Sequence, residues 1–116
     1  MSAEDHNLEV RAEHQQDATI LYLSGGIDLR TSPRLRATFL DLIDERPVRI
    51  ILDLSGVSYV DSSGVGTMVE LKRRAMRHQS PVVLVGLQNR VRSLFEITRL
   101  DKFFDITDTI DEARRA

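Results

Sequence analysis

Leu8, Val10 and Ala12 alternate with Glu9, Arg11 and Glu13. This period of two, with one polar face, predicts a strand exposed on one side, at an edge or in an antiparallel pair. Gln15-Gln16-Asp17 reads as a turn, and Thr19 to Leu23 as a second strand closing a hairpin. Ser32-Pro33 signals a helix start, with serine as cap and proline at the first position, where its missing N–H would be unpaired anyway. Leu35, Phe39, Leu42 and Ile43 then recur at helical spacing until Arg46-Pro47.

Val48 to Leu54 is almost continuously apolar and β-branched, the pattern of a central strand covered on both faces. Gly56 to Asp61 reads as a loop. A helix follows from about Ser63 to His78, with Val65, Met68, Val69, Ala75 and Met76 as its buried stripe. Pro81 to Gly86 predicts another buried strand, and Asn89 is expected to cap a third helix with Val91, Leu94, Phe95 and Thr98 on one face. Phe103 to Ile106 reads as a short last strand. Asp108 or Thr109 then caps a final helix reaching about Arg115. The order is β-β-α-β-α-β-α-β-α. Strands alternating with helices predict an α/β fold with a mixed, mostly parallel sheet, right-handed crossovers and an antiparallel N-terminal edge hairpin.

A length of 116 residues predicts one domain spanning 1–116 with one ordinary core. Hydrophobic residues at 41% and charged residues at 29% are globular rather than disordered usage. No apolar run approaches the roughly 20 residues that cross a bilayer. The acidic stretch MSAEDHNLEV lacks the apolar centre of a secretory signal. With no cysteine, disulfides and thiolate metal sites are excluded, and a cytoplasmic location is the simplest expectation. A net charge of −2 disfavours nucleic-acid binding through a broad basic face. The basic cluster Lys72, Arg73, Arg74, Arg77 and His78 complements the C-terminal dipole of its helix and reads as a solvated face, with a partner-binding patch as the secondary reading.

Ligands and partners of open α/β sheets meet the loops beyond the carboxyl ends of the strands. Two such loops carry chemistry: Gly25-Gly26-Ile27-Asp28, and Val60-Asp61-Ser62-Ser63-Gly64-Val65-Gly66. If their strands are parallel neighbours, Asp28, Asp61, Ser62 and Ser63 share one edge. A serine at a helix start is commonly a plain cap, and for Ser63 alone that is the first expectation. Its functional alternative is a phosphoacceptor, because unpaired amides and the helix dipole favour an anion there by about 0.3–1 kcal/mol. Gly64 and Gly66 suit either an approaching enzyme or tight helix–sheet packing, and for Gly66 a plain packing role weighs at least as much as the functional one. Asp61 reads as a second cap. Asp28 reads equally as a turn former or as a carboxylate that positions Ser63 or a kinase-bound metal.

Enzyme signatures fail. A nucleophile elbow needs Gly-x-Ser-x-Gly, but Asp61 and Val65 flank Ser63 at those places, and His78 lies at the far end of the same helix. A dinucleotide fingerprint fails at Val69, there is no Walker lysine, and His6, His14 and His78 show no ligand spacing. No cofactor, metal site or catalytic residue is expected.

The stretch Val60-Asp61-Ser62-Ser63-Gly64-Val65-Gly66, after a strand ending Asp53-Leu54-Ser55, resembles the signature of bacterial STAS-domain anti-sigma factor antagonists. Gly25-Gly26-Ile27-Asp28 is similar to that family's Gly-x-x-Asp loop, with Gly26-Ile27 replacing the usual Glu-Leu. Asn89-Arg90-Val91-Arg92 to Leu100, leading into Phe103-Phe104, fits its third helix and last strand. The resemblance covers roughly residues 8 to 113. It implies a four- or five-stranded sheet backed by helices and a regulatory, non-enzymatic role. It also implies that Ser63 is phosphorylated by an anti-sigma factor that is an ATP-dependent serine kinase, and that a PP2C-like phosphatase resets it. Binding of the unphosphorylated form to the kinase would free a sigma factor. Asp28, Asp61, Ser62 and Gly64 would then belong to the kinase-binding surface. The alternatives are a STAS subunit of a transporter or signalling scaffold without phosphoswitching, and a small phosphate- or nucleotide-binding enzyme.

Overall fold

The computed structural model describes residues 7–116. The elements are β1 (Leu8–His14), β2 (Thr19–Ile27), α1 (Ser32–Asp44), β3 (Ile50–Val60), α2 (Ser62–Arg77), β4 (Val82–Val85), α3 (Asn89–Ile97), β5 (Asp105–Thr107) and α4 (Ile110–Arg114). The five strands form one sheet in the order β1-β2-β3-β4-β5. β1 is antiparallel to β2, and each later pairing is parallel. Element order and sheet type match those expected.

The two faces of the sheet are covered unequally. Leu35, Phe39, Leu42 and Ile43 of α1, Met68, Leu71 and Ala75 of α2, and Val91 and Phe95 of α3 join the larger core with Leu21, Leu23, Ile50, Leu52 and Leu84. Neighbours along each strand point the other way. Ile20, Ile51, Val83 and Val85 therefore form a second, smaller core with Ala18 and Ala113, closed by α4. The run Ile50-Ile51-Leu52 is apolar throughout because both its faces are buried.

Several boundaries differ from expectation. β2 and β3 run on through stretches that read as loops. Within β3 only Ile50–Asp53 pair with β4, whereas pairing with β2 continues as far as Ile27↔Val60. Register shifts at Tyr22/Ser24 and Gly25/Gly26 let the glycines sit inside this extension. Gly25, at φ 113°, is required there: a Cβ would meet the Asn7 carbonyl oxygen at 2.2 Å. The last strand starts two residues later than expected, and Phe104 serves the core from the turn before it, edge-on to Phe95 at 5.5 Å. Met76 is exposed and Leu71 takes its expected place in the α2 stripe, while Thr98 is exposed beyond the end of α3. Asn89 lies inside α3, whose cap position is Gln88. Thr109 caps α4 through a reciprocal box with Glu112. Ser32 does not cap α1; it is its first residue, buried, with an unpartnered hydroxyl.

Candidate functional site

Because β2 and β3 are parallel and end level with one another, their following loops emerge on one edge. The junction is a single carbonyl. Ile27 O accepts from the Asp61 amide at 3.1 Å. A Cβ on Gly64 would stand 2.4 Å from the same oxygen. Glycine is needed at 64 so that the start of α2 can rest on the end of β2.

Asp61, extended at φ −101°, is the cap of α2: its Oδ1 accepts from the Gly64 amide at 2.9 Å. The cap expected of Ser63 is therefore provided two residues earlier. Ser63 is the second helical residue, half-buried, and its hydroxyl has no hydrogen-bond partner among the described residues. Ser62 precedes it and is exposed. Their amides lie in the first turn, where no carbonyl one turn earlier exists to receive them. Ser63 opens onto an apolar groove of about 420 Å³ between α1 and α2, lined also by Leu29, Ser32, Pro33, Arg36, Ala37 and Thr67. Leu29 is 73% exposed at its rim, and Tyr59, near the end of β3, is 44% exposed.

Asp28 lies on the same edge but faces inward, 6% exposed. Its Oδ1 accepts from the amides of Arg30 at 2.9 Å and Thr31 at 3.1 Å. In return Thr31 Oγ1 accepts from the Asp28 amide at 2.9 Å and donates to Gly26 O at 2.7 Å. Asp28 O accepts from the Ser32 amide at 2.8 Å, so helical hydrogen bonding begins at Asp28, one turn before α1 proper. The turn-forming role expected of Asp28 is what its geometry displays. Thr31 escaped sequence reasoning, although the spacing Asp28-x-x-Thr31 is that of a reciprocal cap.

Gly66 contradicts the packing role expected of it: nothing lies within 4 Å of where its Cβ would be. An ion-pair network also went unforeseen. Arg36 of α1 grips Glu70 of α2 through Nε, 3.1 Å from both carboxylate oxygens, and through Nη2 at 2.9 Å from Oε2. Arg74 adds Nε at 3.1 Å. These bonds, Arg36 foremost, hold the Glu70 carboxyl below its ordinary value. Among the described residues no group of three His, Asp or Glu is placed to hold a metal, and no helix is long and apolar enough to cross a membrane.

The family model of the STAS domain matches residues 9–113. The chain belongs to the STAS domain family. A STAS relative, the anti-sigma-B factor antagonist of Listeria monocytogenes, is 31% identical over 106 residues, covering 91% of this chain and 92% of that one. The crystal structure of an anti-sigma factor antagonist from Mycobacterium paratuberculosis superposes with a TM-score of 0.86 at 25% identity, covering 97% and 95%. The phosphorylated form of the Bacillus cell fate determinant SpoIIAA shares the fold, with a TM-score of 0.70 at 22% identity, covering 90% and 96%. This STAS domain is thus similar over nearly its whole length to regulatory proteins rather than to enzymes.

Proposed function

We propose that this STAS domain is an anti-sigma factor antagonist acting in the cytoplasm, whose partner is an anti-sigma factor with ATP-dependent serine kinase activity, and that Ser63 is the phosphoacceptor. Unphosphorylated, it binds the kinase and so frees a sigma factor. Phosphorylation ends that binding, and a PP2C-like phosphatase restores it.

One observation carries this reading: the Ser63 hydroxyl stands unbonded at a helix start that another residue already caps. It is therefore available to a kinase without cost to the helix. A phosphate there meets the unpaired amides of the first turn and the positive end of the α2 dipole, so the fold tolerates it. The same phosphate brings roughly −1.5 to −2 charges to the rim of an apolar groove. A partner covering Leu29 and Tyr59 would have to bury that charge, which costs roughly 2–5 kcal/mol, or tens- to thousands-fold in affinity. Ser62 adds an exposed hydroxyl beside it, Gly64 sets the helix against β2, and Asp28 holds the adjoining loop in shape. The names of the Listeria and Mycobacterium relatives, and the phosphorylated state of the Bacillus protein, agree with this reading.

Incubation with ATP and the anti-sigma factor kinases of its own genome, followed by peptide mass spectrometry, tests it. One phosphate on Ser63, absent from Ser63→Ala, is the expected result. Label that persists in Ser63→Ala would reject the assignment.

A further inference from the structure

The fold itself has no use for a glycine at 66. The residue lies exposed within α2, and nothing would obstruct a side chain there. Glycine weakens an exposed helix interior relative to alanine, through the backbone freedom it loses on folding. Gly64 answers to Ile27; Gly66 answers to nothing inside the molecule.

Positions 62, 66, 69, 73 and 77 fall on one line along a helix. Here that line is Ser62, Gly66, Val69, Arg73 and Arg77. Gly66, Val69, Glu70, Arg73, Arg74 and Arg77 line one shallow groove of about 300 Å³. Its one carboxylate, Glu70, is already engaged by Arg36 and Arg74. Arg73 and Arg77 are exposed, four residues apart, and neither has a carboxylate partner among the described residues. Like charges at that spacing oppose the helix. The dipole favours Arg77 in the last turn, but its influence fades before Arg73. A costly glycine and an unbalanced charge pair thus share one face, and local rules broken together mark places where function outweighs stability.

We propose that the face of α2 from Gly66 to Arg77 docks an acidic surface of the kinase that modifies Ser63, with Gly66 allowing the partner's backbone to lie against the helix. The inference rests on the phosphoswitch reading and gives the partner's chemistry. Ser62, one turn before Gly66 on the same line, joins this face to the phosphoacceptor. Two guanidiniums without a carboxylate partner, that of Arg73 lying 5.9 Å from the Phe103 ring centroid, supply what carboxylates would bind, in the planar geometry that favours bidentate pairing.

Calorimetric titration of the purified chain into each anti-sigma factor kinase of its own genome, at low and at moderate salt, tests this. Arg73→Gln/Arg77→Gln is expected to bind about tenfold or more weakly at low salt and to lose most of the salt dependence. Its melting temperature should hold or rise, because a repulsion is relieved. Gly66→Ala should melt higher than the wild type and bind more weakly. Wild-type affinity and salt dependence in both variants, with the wild type still labelled on Ser63, would overturn the docking face and leave the phosphoswitch standing. Failure of the wild type to bind any of these kinases would overturn both.

Discussion

Gly64 lies directly against Ile27: a Cβ at position 64 would stand 2.4 Å from the carbonyl oxygen of Ile27, 2.9 Å from its Cγ2 and 3.0 Å from its carbonyl carbon. That oxygen also accepts from the Asp61 amide at 3.1 Å. The end of β2 and the start of α2 are held together at one point, and the nearest atom there, a carbonyl oxygen, is backbone that cannot swing aside. Ser63 is positioned by that contact.

Gly64→Ala should therefore shift α2 or tear the Asp61–Ile27 bond. Overpacking against backbone costs about 1–3 kcal/mol, and chemical denaturation should show a loss of that size. Gly66→Ala is the control, since open space surrounds it. It should stabilise by up to about 1 kcal/mol. Equal midpoints for the two variants would mean that the Gly64 contact is not tight.

Capping and phosphoacceptance are divided between Asp61 and Ser63, and mutation should separate them. Asp61→Ala leaves the Gly64 amide without its acceptor and should cost about 0.5–2 kcal/mol. Ser63→Ala removes a hydroxyl with no partner and should stay within about 0.5 kcal/mol of the wild type. Thermal unfolding of the pair checks this. A loss at Ser63→Ala as large as at Asp61→Ala would return the cap to Ser63.

Periodicity made the element order legible, because every long segment buries one stripe or one face. Less legible were the places where two elements meet. Gly25-Gly26 and Ser55-Gly56 carry the composition of loops, yet parallel pairing with bulges keeps them in β2 and β3. Only a neighbouring strand supplies those hydrogen bonds, and a single strand's sequence does not announce its neighbour. The motif around Ser63 was visible as a motif, but the division of labour within it depends on the backbone of Asp61 being extended. The Arg36–Glu70 pair joins residues 34 apart, so no local spacing could signal it.

Asp28 offers a test of whether its charge matters beyond its shape. Asn is as good a cap as Asp, so Asp28→Asn should keep the bonds to the Arg30 and Thr31 amides and lose little stability. Asp28→Ala should lose about 1 kcal/mol by the same rule. If the carboxylate also serves kinase contact, the rate of Ser63 labelling should fall in Asp28→Asn while its melting temperature holds. Parallel losses in both quantities would confine Asp28 to the turn.

The Arg36–Glu70–Arg74 network predicts a specific pH dependence. The Glu70 carboxyl sits below its ordinary value of 4.5 because Arg36 and Arg74 hydrogen-bond its charged form. A carboxyl whose folded pKa is depressed contributes stability that is complete above the unfolded value and lost as pH falls through the folded one. Glu70→Gln keeps the size of the side chain but not its charge. Its melting temperature should therefore lie below the wild type by a constant margin at pH 6–7, and the margin should close as pH falls below about 4.5. The pair is partly solvated, with side-chain exposures of 43% and 37%. The margin should accordingly shrink in high salt, since screening weakens exposed pairs more than enclosed ones. A margin that did not change with pH would show that Glu70 is held for its packing rather than its charge, and one that widened in acid would have the wrong sign for a stabilised carboxylate.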